Sequence, residues 1–221
     1  MQTQSSPAGS SVKTLKATSP SIIMLTCAEG LVMVGEAFKS GQATLRTSSQ
    51  HFGIAVHGLS AERTDAVLAL ASSWWHERGG RLTLESAREF GRDLAADLRA
   101  DESILMFVGD AQAQMCASIR ATPGEPEIVL SPFNARADVY AAGPVMDHPK
   151  SYSPMYGFIR SHATADLPSD DAVSIARVVI RSIENVLAGT APAIRARIDT
   201  VILRAVAPEP LADRPLGVTF Q

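Results

Sequence analysis

Two cysteines in 221 residues leave no disulfide framework to build a fold on. Cys27 and Cys116 lie in apolar, strand-like surroundings without the CxxC or His/Cys spacing of a zinc site, so no metal and no cofactor is expected and a reducing cytoplasm is the expected compartment. Long apolar runs are also missing. The longest, "SIIML" and "SILMFV", fall far short of the ~20 residues that a membrane helix needs, so no membrane partner is expected. Charge of one sign is scarce: 20 Lys+Arg stand against 23 Asp+Glu, for a formal net charge of −3. Aromatic residues make up 5% of the chain. Without a basic stripe interleaved with aromatics, nucleic acid is an unlikely partner on sequence grounds. What is abundant is hydrophobic sequence, 46% of the chain, enough to bury one sizeable core.

The first twenty residues, "MQTQSSPAGSSVKTLKATSP", lack the apolar stretch of a secretory signal. They read as a disordered tail, with a propeptide or an acid-poor targeting segment as the alternatives. A domain is expected over 21–206, followed by a proline-rich tail over 207–221. "SIIMLTCA" and "GLVMVGEAF" alternate as two strands of a hairpin joined at Glu29-Gly30. "ATLRTSS" and "FGIAVHG" read as strands three and four, turning at Gln50-His51. Ser60 is a candidate N-cap for a helix with Val67, Leu70, Ala71 and Trp74 on its apolar stripe, ending at Gly79-Gly80. Trp75 is rotated off that stripe, and reads equally as half exposed, where it would suit a subunit contact, or as a large residue capping the core edge. Thr83 opens a second helix whose stripe is Ala87, Phe90, Gly91, Leu94 and Leu98.

Four more strand signals follow over 103–110, 113–120, 127–133 and 137–143, separated by "TPGEP" and "NAR". Ser153-Pro154 suggests a helix start. A further helix is expected from the cap Ser169 through Val173, Ala176, Ile180, Ile183 and Leu187, and "RIDTVILRAV" is the last strand. Each helix pair has one apolar stripe that needs a sheet beneath it. The expected fold is therefore α+β: a four-layer α/β/β/α sandwich of two mainly antiparallel sheets with helix pairs outside.

The succession "GLVMVGEAFKSG", "IAVHGLSAERTDAVLAL", "WWHERGGRLTLESAREFGRDL", "ADVYAAGP" and "RIDTVILR", spanning about residues 20 to 205, resembles the proteasome-like branch of the N-terminal nucleophile hydrolases. Within it the chain is most similar to proteasome β subunits and to the threonine peptidase of the bacterial two-component ring protease. The resemblance implies a homo-oligomeric ring, a peptide or protein substrate, and catalysis by an N-terminal threonine or serine whose own amine is the base. It places Glu36 at the carboxylate that orients a lysine. Ser40 falls at the residue that pairs with the substrate strand, and Gly58 at the oxyanion-hole donor. The nucleophile position falls at Pro20 or Ser21, with Thr18 and Ser19 near by, and no threonine stands at the register position itself. Relatives cut themselves after a glycine, whereas the one Gly-Ser here, Gly9-Ser10, lies about a dozen residues too early.

The lysine position falls at Thr44. Arg46, two residues on, keeps a positive charge that cannot give up its proton near neutral pH, and Lys39 lies past the strand end. Proline replaces serine in "AAGPV", and "GTAPAIRAR" replaces the cluster that supports the nucleophile's amine. The implied reading is a degenerate, non-catalytic subunit in which Glu36 holds Arg46. The alternatives are a self-processing peptidase or amidase that uses Ser21 (or Thr18 or Ser19), and an unrelated α+β small-molecule-binding module. A Cys27/His57 or Cys27/His51 nucleophile pair and a metal at Asp147-His148 are weaker than their structural counterparts, a core thiol and a surface loop. The terminal "GVTFQ" is a weak match to a docking tail.

Overall fold

The computed structural model describes residues 20–132, 139–143, 157–159, 161–162, 166–188 and 196–205. Strands β1 (Ile22–Cys27) and β2 (Gly30–Glu36) form the expected hairpin and are buried along their whole length. Because side chains alternate between the faces of a strand, that burial divides in two. Ile23, Leu25, Val32 and Val34 face one apolar cluster, while Ile22, Met24, Leu31 and Met33 face another. Both faces of this sheet are therefore covered. Its strand order is β8-β1-β2-β9, with β8 at Val139–Ala142 and β9 at Ile198–Arg204, and every pairing is antiparallel.

The second sheet has the order β3-β4-β5-β6-β7 and is also antiparallel throughout. Its strands are β3 (Leu45–Ser49), β4 (Phe52–His57), β5 (Ile104–Asp110), β6 (Met115–Thr122) and β7 (Glu125–Pro132). The last two run further into "TPGEP" than the sequence suggests. The reason is local: Thr122 pairs with Glu125, so the hairpin closes over Pro123-Gly124 alone. Leu45, Ala55 and Phe107 of this sheet meet Ile22, Met24, Leu31, Met33 and Leu203 of the other, so the two sheets stack directly on an apolar layer.

Helices α1 (Ala61–Glu77) and α2 (Leu84–Asp97) cover the outer face of the second sheet. Ser60 caps α1 by accepting from the Arg63 N–H at 3.3 Å, and Thr83 forms a reciprocal capping box with Ser86 on α2. Arg63 then links the two helix ends, donating to Asp97 at 2.7 Å and to Glu102 at 3.1 Å. The α2 stripe is buried as expected. The α1 stripe needs one correction, since Leu70 is 42% exposed, and the two readings of Trp75 resolve to burial, at 0% exposure. The buried apolar set keeps Val67, Ala71 and Trp74 and widens by Leu68 and Trp75, because α1 packs sideways on α2 as well as down on the sheet. Trp75 touches Phe52 of the sheet and Phe90 of α2. It therefore offers no subunit contact.

Helix α3 (Ser169–Ala188) covers the outer face of the first sheet through Ala172, Ala176, Val179, Ile180 and Ile183, with Ile159 from the helical residues at 157–159 beside it. Ser169 is its first helical residue rather than its cap. The layers are thus helices, sheet, sheet, helix, an α+β architecture of two antiparallel sheets. No helix among the described residues is long and apolar enough to cross a membrane. The expected helix start at Ser153-Pro154, Asp147-His148, Thr18, Ser19 and both tails lie outside the described residues.

Candidate functional site

The site is built where β1 begins and β2 ends. Register carries Ile22 opposite Gly35, so Ser21 lies opposite Glu36, and the Glu36 N–H donates to the Ser21 carbonyl at 2.9 Å. In a regular antiparallel pair the return bond would run from the Ser21 N–H to the Glu36 carbonyl. Here the Glu36 side chain takes it instead: the Ser21 N–H donates to Glu36 Oε2 at 2.6 Å. The vacated Glu36 carbonyl accepts from the Thr44 hydroxyl at 2.9 Å. Glu36 thus joins the start of β1 to the segment entering β3. Glu36 as a residue is 8% exposed, and Ser21 and Thr44 are more deeply buried still.

Two further contacts hold the residue before Ser21. The Pro20 carbonyl lies 3.0 Å from His57 Nδ1, and since a carbonyl can only accept, Nδ1 carries the hydrogen of this bond. Gly143, at φ +94°, presses its backbone against the same peptide. A Cβ there would stand 2.8 Å from the Pro20 oxygen and 2.9 Å from Ser21 Cα, which is why this end of β8 takes glycine. The Pro20–Ser21 peptide is therefore held on three sides, by Glu36, His57 and Gly143.

Of the sequence candidates, Ser21 and Glu36 come together, with Thr44 beside them. Gly58 follows His57 directly at the end of β4. Ser40 and Lys39 are exposed in the turn after β2. Arg46 is not a partner of Glu36, which corrects the expectation. Its guanidinium pairs with Asp65 of α1 at 2.8 Å. Strand alternation explains the departure: Leu45 points into the layer between the sheets, so Arg46 points out toward α1. Thr44 precedes β3, and the alternation that would place it with Arg46 does not reach it. Cys27 sits at the far end of β1 from Ser21, about 20 Å along the strand, whereas His57 bonds the residue before Ser21; a Cys27/His57 nucleophile pair does not form. Burial pushes the Cys27 thiol above its ordinary pKa, as suits a core thiol.

One neighbour of Glu36, Glu184, was not offered by the sequence. Burial pushes the Glu36 carboxyl above the ordinary glutamate range. Hydrogen bonds from the Ser21 amide and hydroxyl oppose that rise, and the neighbouring Glu184 carboxyl of α3 adds to it. Arg181, one turn earlier on α3, pairs with Glu184 at 2.6 Å and donates to the Ala196 carbonyl at 2.8 Å. The sequence signal was present but faint: an Arg/Glu pair at i, i+3 beside the apolar stripe of a helix.

This geometry makes a graded prediction. Thr44→Val should cost about 1–2 kcal/mol, since it leaves the buried Glu36 carbonyl without its donor. Arg46→Ala should cost less than about 1 kcal/mol, since it opens one partly exposed ion pair. Urea unfolding of both variants checks the order; Arg46→Ala as the costlier change would return Arg46 to the site.

Comparison with family models finds none that matches the chain, and comparison with curated proteins finds no match either. The reading of the site therefore rests on its own geometry.

Proposed function

We propose that this chain is a proteasome-like subunit of the N-terminal nucleophile hydrolase type whose peptidase centre has become a buried structural joint, and that it works by assembly or binding as a ring-forming homo-oligomer. One observation carries the reading: the position that would need a lysine beside Glu36 holds Thr44, whose hydroxyl is committed to the Glu36 carbonyl, while the nearest arginine on β3 pairs with α1. Without an ammonium in reach among the described residues, a nucleophile at residue 21 lacks the cation that would ease its proton transfer. Support over an unrelated α+β binding module comes from β1, which lies inside its sheet between β8 and β2.

The test is the state of the N-terminus. Intact mass spectrometry should give a chain that begins upstream of Ser21, epoxyketone and β-lactone probes should leave it unlabelled, and light scattering should give a multiple of the chain mass. A chain that begins at Ser21 and takes up either probe would overturn the silent-site reading, and a strictly monomeric protein would remove the ring.

A second reading is favoured by the His57 contact. If the chain cuts itself before Ser21, the Ser21 hydroxyl oxygen adds to the Pro20 carbonyl carbon as its proton passes to the Glu36 carboxylate. The His57 Nδ1–H bonds the resulting oxyanion. The C–N bond then breaks, the proton goes to the departing nitrogen, and an ester links Pro20 to the Ser21 oxygen. Water hydrolyses that ester, leaving Ser21 with a free amine as the nucleophile of a peptidase or amidase. Ser21→Ala would abolish this cleavage and leave the silent-site reading untouched.

A further inference from the structure

A groove of about 550 Å³ runs between α3 and β9, lined by Arg177, Val178, Arg181, Ser182, Asn185 and Ile198. That volume lies within the range of small-molecule sites. Helical spacing arranges the lining as two ridges. Val178, Ser182 and Asn185 recur at i, i+4 and i+7, and Arg177 and Arg181 form a second row beside them.

The charge of this groove does not cancel. Two arginines four residues apart on a helix repel each other, a spacing that lowers helix stability unless each has a partner. Arg181 has one: it pairs with Glu184 at 2.6 Å and donates to the Ala196 carbonyl at 2.8 Å. Arg177 does not. Among the described residues no ion pair includes it, and its hydrogen bond runs to a neutral group, the Thr200 hydroxyl of β9, at 3.0 Å. Its neighbours three and four residues away on α3 are Val173, Ser174, Ile180 and Arg181, none of them acidic. Asp199, next to Thr200, is taken by Arg197 at 2.7 Å. With Arg181 balanced by Glu184, the groove carries one net positive charge, on a guanidinium that has five N–H donors and is held in place by β9.

The rest of the lining says what kind of anion fits. Val178 is 55% exposed beside Arg177, and Ile198 is partly buried across the groove, so apolar surface adjoins the cation on both elements. The Ser182 hydroxyl donates to the Val178 carbonyl at 2.7 Å and so turns only lone pairs outward. The exposed Asn185 amide has N–H groups to offer.

We propose that the α3/β9 groove binds a small organic carboxylate, its head on the Arg177 fork and its apolar body along Val178 and Ile198. The planar guanidinium matches a carboxylate with two parallel hydrogen bonds. A monoanion also answers the single uncompensated charge, whereas a dianion such as phosphate brings a second charge toward Glu184. The site uses none of the residue-21 chemistry and holds whether or not residue 21 is a nucleophile.

Hexanoate is the probe. In a titration of the full chain followed by NMR, the guanidinium Nε–H of Arg177 and the backbone amide of Val178 should shift saturably. Arg177→Gln should weaken hexanoate about tenfold, the loss expected for a charge-assisted contact. Val178→Ser should lower hexanoate to the affinity of acetate and leave acetate itself unchanged. Arg46→Gln, which removes a guanidinium from the β3/α1 pair instead, should change neither. Arg177 and Val178 are both exposed, so these variants remove no core contact, and the wild-type titration stands without them. Shifts that grow linearly without saturation, hexanoate binding undiminished in Arg177→Gln, or inorganic phosphate binding as tightly as hexanoate would each overturn the proposal.

Discussion

Trp75→Ala should cost about 3–5 kcal/mol, among the largest losses available to a single truncation in this chain. Trp75 is completely buried and meets Trp74, Phe52 and Phe90 with ring centroids 4.8, 5.3 and 5.7 Å away. It therefore touches both helices and the sheet beneath them, and no one neighbour can relax into the void without leaving another. Its indole N–H has no hydrogen-bond partner among the described residues, which separates the ring's packing from its polar atom. Trp75→Phe keeps most of the apolar contact and removes an unsatisfied donor, so its cost should be about 1 kcal/mol or less. Chemical denaturation of the pair checks both values. A cheap Trp75→Ala, or a Trp75→Phe as costly as the alanine, would mean that the indole is solvated or bonded in solution.

The fold was legible where one physical cause governs many residues. The alternation in β1 and β2 is read correctly because each strand has two covered faces, so both sets of alternating side chains are apolar and the run is unmistakable. The caps Ser60 and Thr83 are local chemistry and stand where expected. Leu70 was misread and Trp75 left open because periodicity assumes one buried face, whereas α1 has a sheet below and α2 alongside. In the candidate site, the pairing of Ser21 with Glu36 follows from counting along one hairpin. Arg46 was misplaced by extending strand alternation to Thr44, one residue beyond where β3 starts. Glu184 lies about 150 residues from Glu36 in sequence and neighbours it only because α3 lies across β2. The contact between His57 and Pro20 likewise depends on the stacking of two sheets, which no local pattern encodes.

Gly58→Ala should be destabilising by about 2–5 kcal/mol, the sum of an unfavourable backbone conformation and a backbone collision. The φ of Gly58 is +104°, and a Cβ there would overlap the Ser103 carbonyl oxygen. Ser103 leads into β5 at the point where β4 and β5 are paired through His57 and Leu105. Neither side of the collision is a flexible side chain, so the relief must come from spreading the ends of two paired strands. Gly41→Ala supplies the control: its φ is +91°, yet nothing lies within 4 Å of its Cβ position, so it pays the conformational cost alone. The difference between the two variants in urea unfolding isolates the collision, and equal losses would show that β4 and β5 part easily there. The substitution also separates two roles for this residue, because alanine retains the backbone N–H that an oxyanion hole would use. Spreading the strands moves His57 away from the Pro20 carbonyl, so the imidazole resonances of His57 should shift in Gly58→Ala and stay in place in Gly41→Ala. Such a shift would mark Gly58 as the corner that aims His57 at the Pro20–Ser21 peptide, apart from any use of its backbone N–H.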